Sequence, residues 1–140
     1  MNKQKGQALI EFTLVLPFFL LLIFSLIYTG MLFYDYSTLS NVARTAARER
    51  AISESDVNNT TIIKRYYNDA SKTFTYGLVT SLYKPADENA MTIDGPSESE
   101  GKEGDIVVTI NMQLQDKSPL MEMVLPENYS IVYHMRKDYN

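Results

Sequence analysis

From Phe12 to Tyr34 the chain carries no charge: about 23 residues, F-T-L-V-L-P-F-F-L-L-L-I-F-S-L-I-Y-T-G-M-L-F-Y, lie between Glu11 and Asp35. A bilayer's hydrocarbon core takes about 20 helical residues at ~1.5 Å each. Lipid offers no hydrogen-bond partner to the backbone, so a lone span has to be a helix. This run divides the sequence into a basic leader (1–6), a transmembrane helix (7–34), a continuation of that helix (35–52) and an extracytoplasmic α+β domain (53–140). Lys3 and Lys5 favour a cytoplasmic N-terminus. A conventional signal peptide fits less well. Its apolar core is about 7–15 residues and ends at a small-x-small site, whereas Ser25-Leu26-Ile27 and Thr29-Gly30-Met31 are poor versions of one.

Pro17 lies inside the span. It removes one donor and frees the Thr13 carbonyl, which predicts a mild kink. Tyr28, Phe33, Tyr34 and Tyr36 form an aromatic belt at the outer end. Past the belt, Leu32, Tyr36, Leu39, Ala43, Ala46 and Arg50 recur at helical spacing, widened by Val42, Ala47 and Ala51. Asp35, Asn41, Thr45, Arg48 and Glu49 fall on other faces. The small-residue stripe is predicted to pack mostly on the chain's own domain.

Ser53–Thr60 reads as a turn, with Asn59 or Thr60 capping a second helix. The spacing of Ile62, Ile63, Tyr66, Tyr67, Ala70 and Phe74 predicts helix through about residue 82, although Phe74, Tyr76, Leu78, Thr80 and Leu82 also alternate as a strand would. Pro85 ends the element in either case. Residues 90–93 suit a short strand, and 94–104 a solvated acidic loop. From Asp105 to Gln115, apolar Ile106, Val108, Ile110, Met112 and Leu114 alternate with more polar residues, the mark of an antiparallel strand with one wet face. Leu120–Leu125 suits one helical turn or an edge. Tyr129, Ile131, Tyr133 and Met135 alternate with Ser130, Val132, His134 and Arg136 as a last strand.

No residue pattern suggests catalysis. There is no cysteine and one histidine, His134, on the presumed wet face of the last strand. A general base or metal ligand needs partners within reach, so His134 reads as a surface residue. No phosphate-binding, dinucleotide or nucleophile-elbow motif occurs. The expectation is a protein that is not an enzyme, with no cofactor and no metal. The net charge of −4 argues against nucleic acid as a partner. Ten tyrosines suit strands and half-buried interfaces, and N-x-S/T triplets at Asn58, Asn59 and Asn128 carry little weight.

The order of residues at the N-terminus is more specific. A basic leader ends at Gly6; Gln7 follows; Glu11 stands at the lip of the span; Leu16-Pro17 lies within it; and Asn41-Val42-Ala43-Arg44-Thr45-Ala46-Ala47-Arg48 closes the helix. Over roughly the first 50 residues this resembles the TadE family, minor pilins or pseudopilins of the tight-adherence, type IVb-like system. A type II secretion pseudopilin fits Pro17 and the Arg44/Arg48 tail less well. The resemblance implies a pilin-like fold and cleavage by a prepilin peptidase between Gly6 and Gln7. It also implies assembly roles for Glu11 and Pro17. The partners it implies are the peptidase, a major pilin, a sibling pseudopilin and the inner-membrane assembly platform, beside membrane lipid. Cleavage would take Lys+Arg from 13 to 11 against 17 acidic residues. It would also give Gln7 an α-amine able to neutralise Glu11. The alternative is an uncleaved, single-pass anchored binding module.

Overall fold

The computed structural model describes residues 2–53, 57–95, 104–115 and 118–137. Helix α1 runs without interruption from Asn2 to Ile52, 51 residues including Pro17. Its first part is largely uncovered: residues 6–22 and 24–30 are exposed and Ile23 is half-buried, and Met31 and Leu32 open the stretch that the domain covers. Leu39, Val42, Ala43, Ala46 and Ala47 are buried. The small-residue stripe thus serves the chain's own domain, as predicted. Alanine at these positions lets a sheet approach the helix backbone closely.

That sheet is built on β5 (Gly104–Leu114), with β6 (Asn128–Lys137) paired antiparallel along one edge from Gly104↔Lys137 to Gln113↔Asn128. The opposite edge of β5 is shared end to end by β3 (Tyr83–Pro85) and β4 (Met91–Asp94), both antiparallel. Asn111 spans the gap between them: its N–H donates to Ala90 O, its carbonyl accepts from Ala86 N–H, and its side chain donates to Asn89 O. The alternation read from the sequence holds. Ile106, Val108, Ile110, Met112 and Leu114 are buried under α1, and Ser130, Val132, His134 and Arg136 of β6 are exposed. α3 (Pro119–Val124) takes the helical one of the two forms the sequence allows for Leu120–Leu125. The fold is α+β, a long apolar N-terminal helix followed by a small domain.

Helix α2 (Asn59–Tyr66) is much shorter than the sequence predicts. Its N-cap is Asn58, not Asn59 or Thr60, and the Asn58 side chain accepts from Thr60 N–H. At the other end the chain turns back as a hairpin of β1 (Tyr67–Asn68) and β2 (Thr73–Phe74). The Asn68 carboxamide accepts from the Ala70 and Ser71 amides, and Lys72 takes φ 52°. This is the side-chain-closed turn that asparagine favours. Thr75 donates from its amide to Tyr66 O and from its hydroxyl to Arg65 O, taking up carbonyls at the end of α2. Tyr67 and Phe74 pair at 5.1 Å and are both buried, so their spacing reflects cross-strand neighbours rather than a helical face. Pro85 closes β3 instead of ending a helix. From 96 to 103 the expected acidic loop lies outside the described residues.

Candidate functional site: the free helix and its clamp

The four residues implicated by the resemblance lie on the uncovered part of α1. Gly6, Gln7, Glu11 and Pro17 are all exposed. Gln7 and Glu11 share a face one turn apart, and Gln7 Nε2 donates to Glu11 Oε1 at 3.3 Å. A Cβ added at Gly6 would meet nothing within 4 Å beyond its chain neighbours and the helix's own backbone. Because α1 begins at Asn2, Glu11 stands more than two turns into the helix rather than in its first turn, which holds no acidic residue. Its carboxylate therefore lies beyond the favourable end of the helix dipole, which acts over a single turn. At Pro17 the helix continues, and the nearby Thr13 hydroxyl donates back to Leu9 O at 2.7 Å.

Two carboxylates fasten the domain to the outer part of α1. Asp35 is 3 % exposed, although the sequence placed it on a polar face. Its Oδ1 accepts from Val79 N–H at 2.7 Å, and its Oδ2 accepts from Thr80 N–H at 2.8 Å and the Thr80 hydroxyl at 2.6 Å. Fourteen residues later, Glu49 takes a charge-assisted bond from Arg65 and accepts from Tyr66 Oη at 2.7 Å. Desolvation, with the Glu49 acceptor and its charge, pushes the Tyr66 phenol up to about 12. Between these ties Arg44 lies over the Tyr133 ring, 5.7 Å from its centre. Sequence reasoning missed Asp35, although a signal existed: Asp35 precedes buried Leu39 by four residues and Val42 by seven, so it extends their stripe.

Chemistry elsewhere is sparse. His134 is exposed, and among the described residues no group of three or more His, Cys, Asp or Glu is placed to hold a metal ion. In an open polar depression bordered by Lys64, Asp69, Lys72, Asp87 and Glu88, Lys72 pairs with Asp69 at 2.7 Å and Asp87 with neighbouring Lys84 at 3.6 Å.

One exposed apolar helix, long enough to cross a bilayer, with a small α+β domain clamped to its far end, defines a class of protein: a domain carried on a single N-terminal helix. Residues 6–48 match the family model described as TadE-like protein, and over that stretch the chain is similar to that family. The match opens at Gly6 and ends inside α1, ahead of α2 and the sheet. The chain matches no curated protein and no solved structure.

Proposed function

We propose that this protein is a non-enzymatic TadE-like minor pilin or pseudopilin of a tight-adherence pilus or secretion apparatus. In this reading a prepilin peptidase cuts it between Gly6 and Gln7, and α1 then packs among the helices of its partners. Those partners are a major pilin, a sibling pseudopilin and the inner-membrane assembly platform. The N-terminus faces the cytoplasm and the domain the other side. The observation that carries the reading is the TadE-like match beginning at Gly6 on a helix exposed as far as the domain. Glycine is the poorest helix former after proline, by about 1 kcal/mol relative to alanine. Gly6 thus lowers the cost of unwinding its own turn into a peptidase, and its open surroundings leave room for one.

Glu11 gains its role after the cut. The Gln7 α-amine then lies one helical turn from Glu11, on the face their side chains already share. Alone in the bilayer, Glu11 reaches water at the lip of the span. Among packed helices an unpaired carboxylate is costly, and the new amine, from its own chain or a neighbour's, neutralises it. Breaking a buried pair costs roughly 3–5 kcal/mol, and about 1.4 kcal/mol already shifts an assembly equilibrium tenfold.

The test has two arms. Intact mass and N-terminal sequence should show wild type starting at Gln7, and a bulky or charged residue in place of Gly6 should retain the leader. An intact Met1 in wild type would favour the uncleaved anchor. In the second arm, Glu11→Ala and Glu11→Gln should be cut normally yet be depleted from the sheared surface fraction relative to the membrane. Normal release of both variants would refute the charge pairing.

A further inference from the structure

Helix α3 leaves apolar side chains uncovered beside the outer end of the span. Met121 is 37 % exposed and Met123 is 86 % exposed. Half-buried Leu82 and Leu125, flanking this patch, pack on the core together with Leu32 of α1. Between α3 and α1 lies an open groove of about 770 Å³, walled by Pro17, Phe24 and Leu32 on one side and by Leu82, Met121 and Leu125 on the other.

The height of this groove follows from the helix rise. If the hydrocarbon core starts beside Glu11, at Phe12, about 20 residues at ~1.5 Å place its other boundary near Leu32. Leu32 is where the domain first covers α1, and it shares the groove with Met121 and Leu125. The patch on α3 therefore continues the lipid-facing surface of α1 at bilayer height.

We propose that α3 is a second membrane contact, whose Met121 and Met123 enter the boundary between headgroups and acyl chains on the domain's side of the bilayer. The occupant of the groove is lipid. Its lower wall belongs to the exposed span, where the surrounding solvent is acyl chain, and its upper wall is thioether and leucine. The backbone of α3 suits such a place. Ser118 O accepts from the Met121 and Glu122 amides, and Met121 O accepts from Leu125 N–H. Glu122, the one charged residue of α3, is exposed and holds the helix at headgroup depth rather than deeper. A contact at α3 besides α1 restrains the tilt of the domain on the membrane, which a single helix does not.

This inference rests on α1 spanning the membrane, so its test reports on both. The chain has no tryptophan, and each variant then carries a single reporter. Met123→Trp, Phe24→Trp and Val132→Trp would be made in the full chain and reconstituted in phosphatidylcholine–phosphatidylglycerol vesicles, with and without brominated acyl chains. Bromine should quench Trp at positions 24 and 123 and spare the one on exposed β6 at 132. Quenching at 24 but not at 123 overturns the inference and leaves the span standing. Absence of quenching at 24 overturns both. An unquenched reporter at 123 whose emission shifts to the blue as protein density rises assigns the groove to a second copy of the chain, and likewise overturns the proposal.

Discussion

Replacing Asp35 with alanine should loosen the domain from its helix. Three donors converge on this carboxylate, and two of them belong to Thr80, itself 9 % exposed. Val79 is half exposed, so water can replace the acceptor its amide loses. The Thr80 amide and hydroxyl have no such recourse, and a buried donor left unpaired costs about 1–3 kcal/mol. Relief from burying a carboxylate offsets part of this. The expected net loss is about 2–4 kcal/mol, a large share of the ~5–15 kcal/mol that holds a small domain together. Asp35→Asn should cost less, because its carbonyl still serves Thr80 while its amide opposes Val79 N–H. Thr80→Val, which removes only the hydroxyl, should cost roughly 1 kcal/mol. In the double variant with Asp35→Ala that loss should largely vanish, since the bond the hydroxyl makes is to Asp35 itself. The assay is urea denaturation of the full chain in detergent micelles, followed by near-ultraviolet circular dichroism of the tyrosines, seven of the ten lying outside α1. Hydrogen exchange at Val79 and Thr80 gives the local readout. An unchanged midpoint with both amides still protected in Asp35→Ala would refute the clamp.

A fragment beginning at Asp35 should be soluble and folded, because the buried stripe of α1 starts there and the uncovered apolar run lies before it; mixed helix and strand with a cooperative melt would bear this out, and a structureless spectrum would show that the domain needs the span or its partners. Alkali should unfold the domain over a defined window. Tyr66 is raised to about 12 by burial and by Glu49, and Tyr129 to about 12 by burial and by the Asp35 charge. The folded state thus holds both phenol protons more tightly than the unfolded chain, where the pKa is ~10. Their contribution is complete below pH ~10 and is lost as pH rises towards about 12. Denaturation midpoints across that range should fall less steeply for Tyr66→Phe, and an unaltered slope would remove Tyr66 from the account.

The parts of the fold written in strict periods were legible in the sequence. In β5 and β6 the alternation survives because one face lies under α1 and the other meets water, so each residue's polarity reports its side. Helix α1 was legible for a similar reason, being apolar where uncovered and striped where clamped. The failure at α2 has a local cause. Tyr66, Tyr67 and Phe74 satisfy a helical period by chance, while Asn68 to Lys72 carries the turn chemistry that wins. Turn residues and the β-branched Thr73 and Thr75 outweighed an apolar pattern that a hairpin of two aromatics also satisfies. Asp35 was misplaced because polarity is a guide to exposure only where no partner exists. The donors that make its burial tolerable come from residues 79 and 80, in an irregular stretch with no period to read. Of the N-terminal site, residue types and the shared face of Gln7 and Glu11 were legible, since four-residue spacing fixes them on any helix.

The two carboxylate ties have a mechanical consequence. Asp35 and Glu49 are fourteen residues apart, about four turns or roughly 21 Å along α1, and so return to nearly the same face. Neither binds the sheet directly. Asp35 holds residues 79–80 and Glu49 holds the end of α2, the two flanks of the segment that leads into β3. The sheet packs on the alanine stripe between them. A helix grasped at both ends of its buried face cannot roll or slide beneath the domain without breaking one tie. Displacement of α1 along its axis would therefore carry the domain with it, and an assembly that grips only the exposed span acts on the whole protein. This is the arrangement expected of a subunit moved by its N-terminal helix, and it ties the proposed role of Glu11 to the structural role of Asp35. Glu11 would set where the helix sits among its neighbours, and Asp35 makes the domain follow.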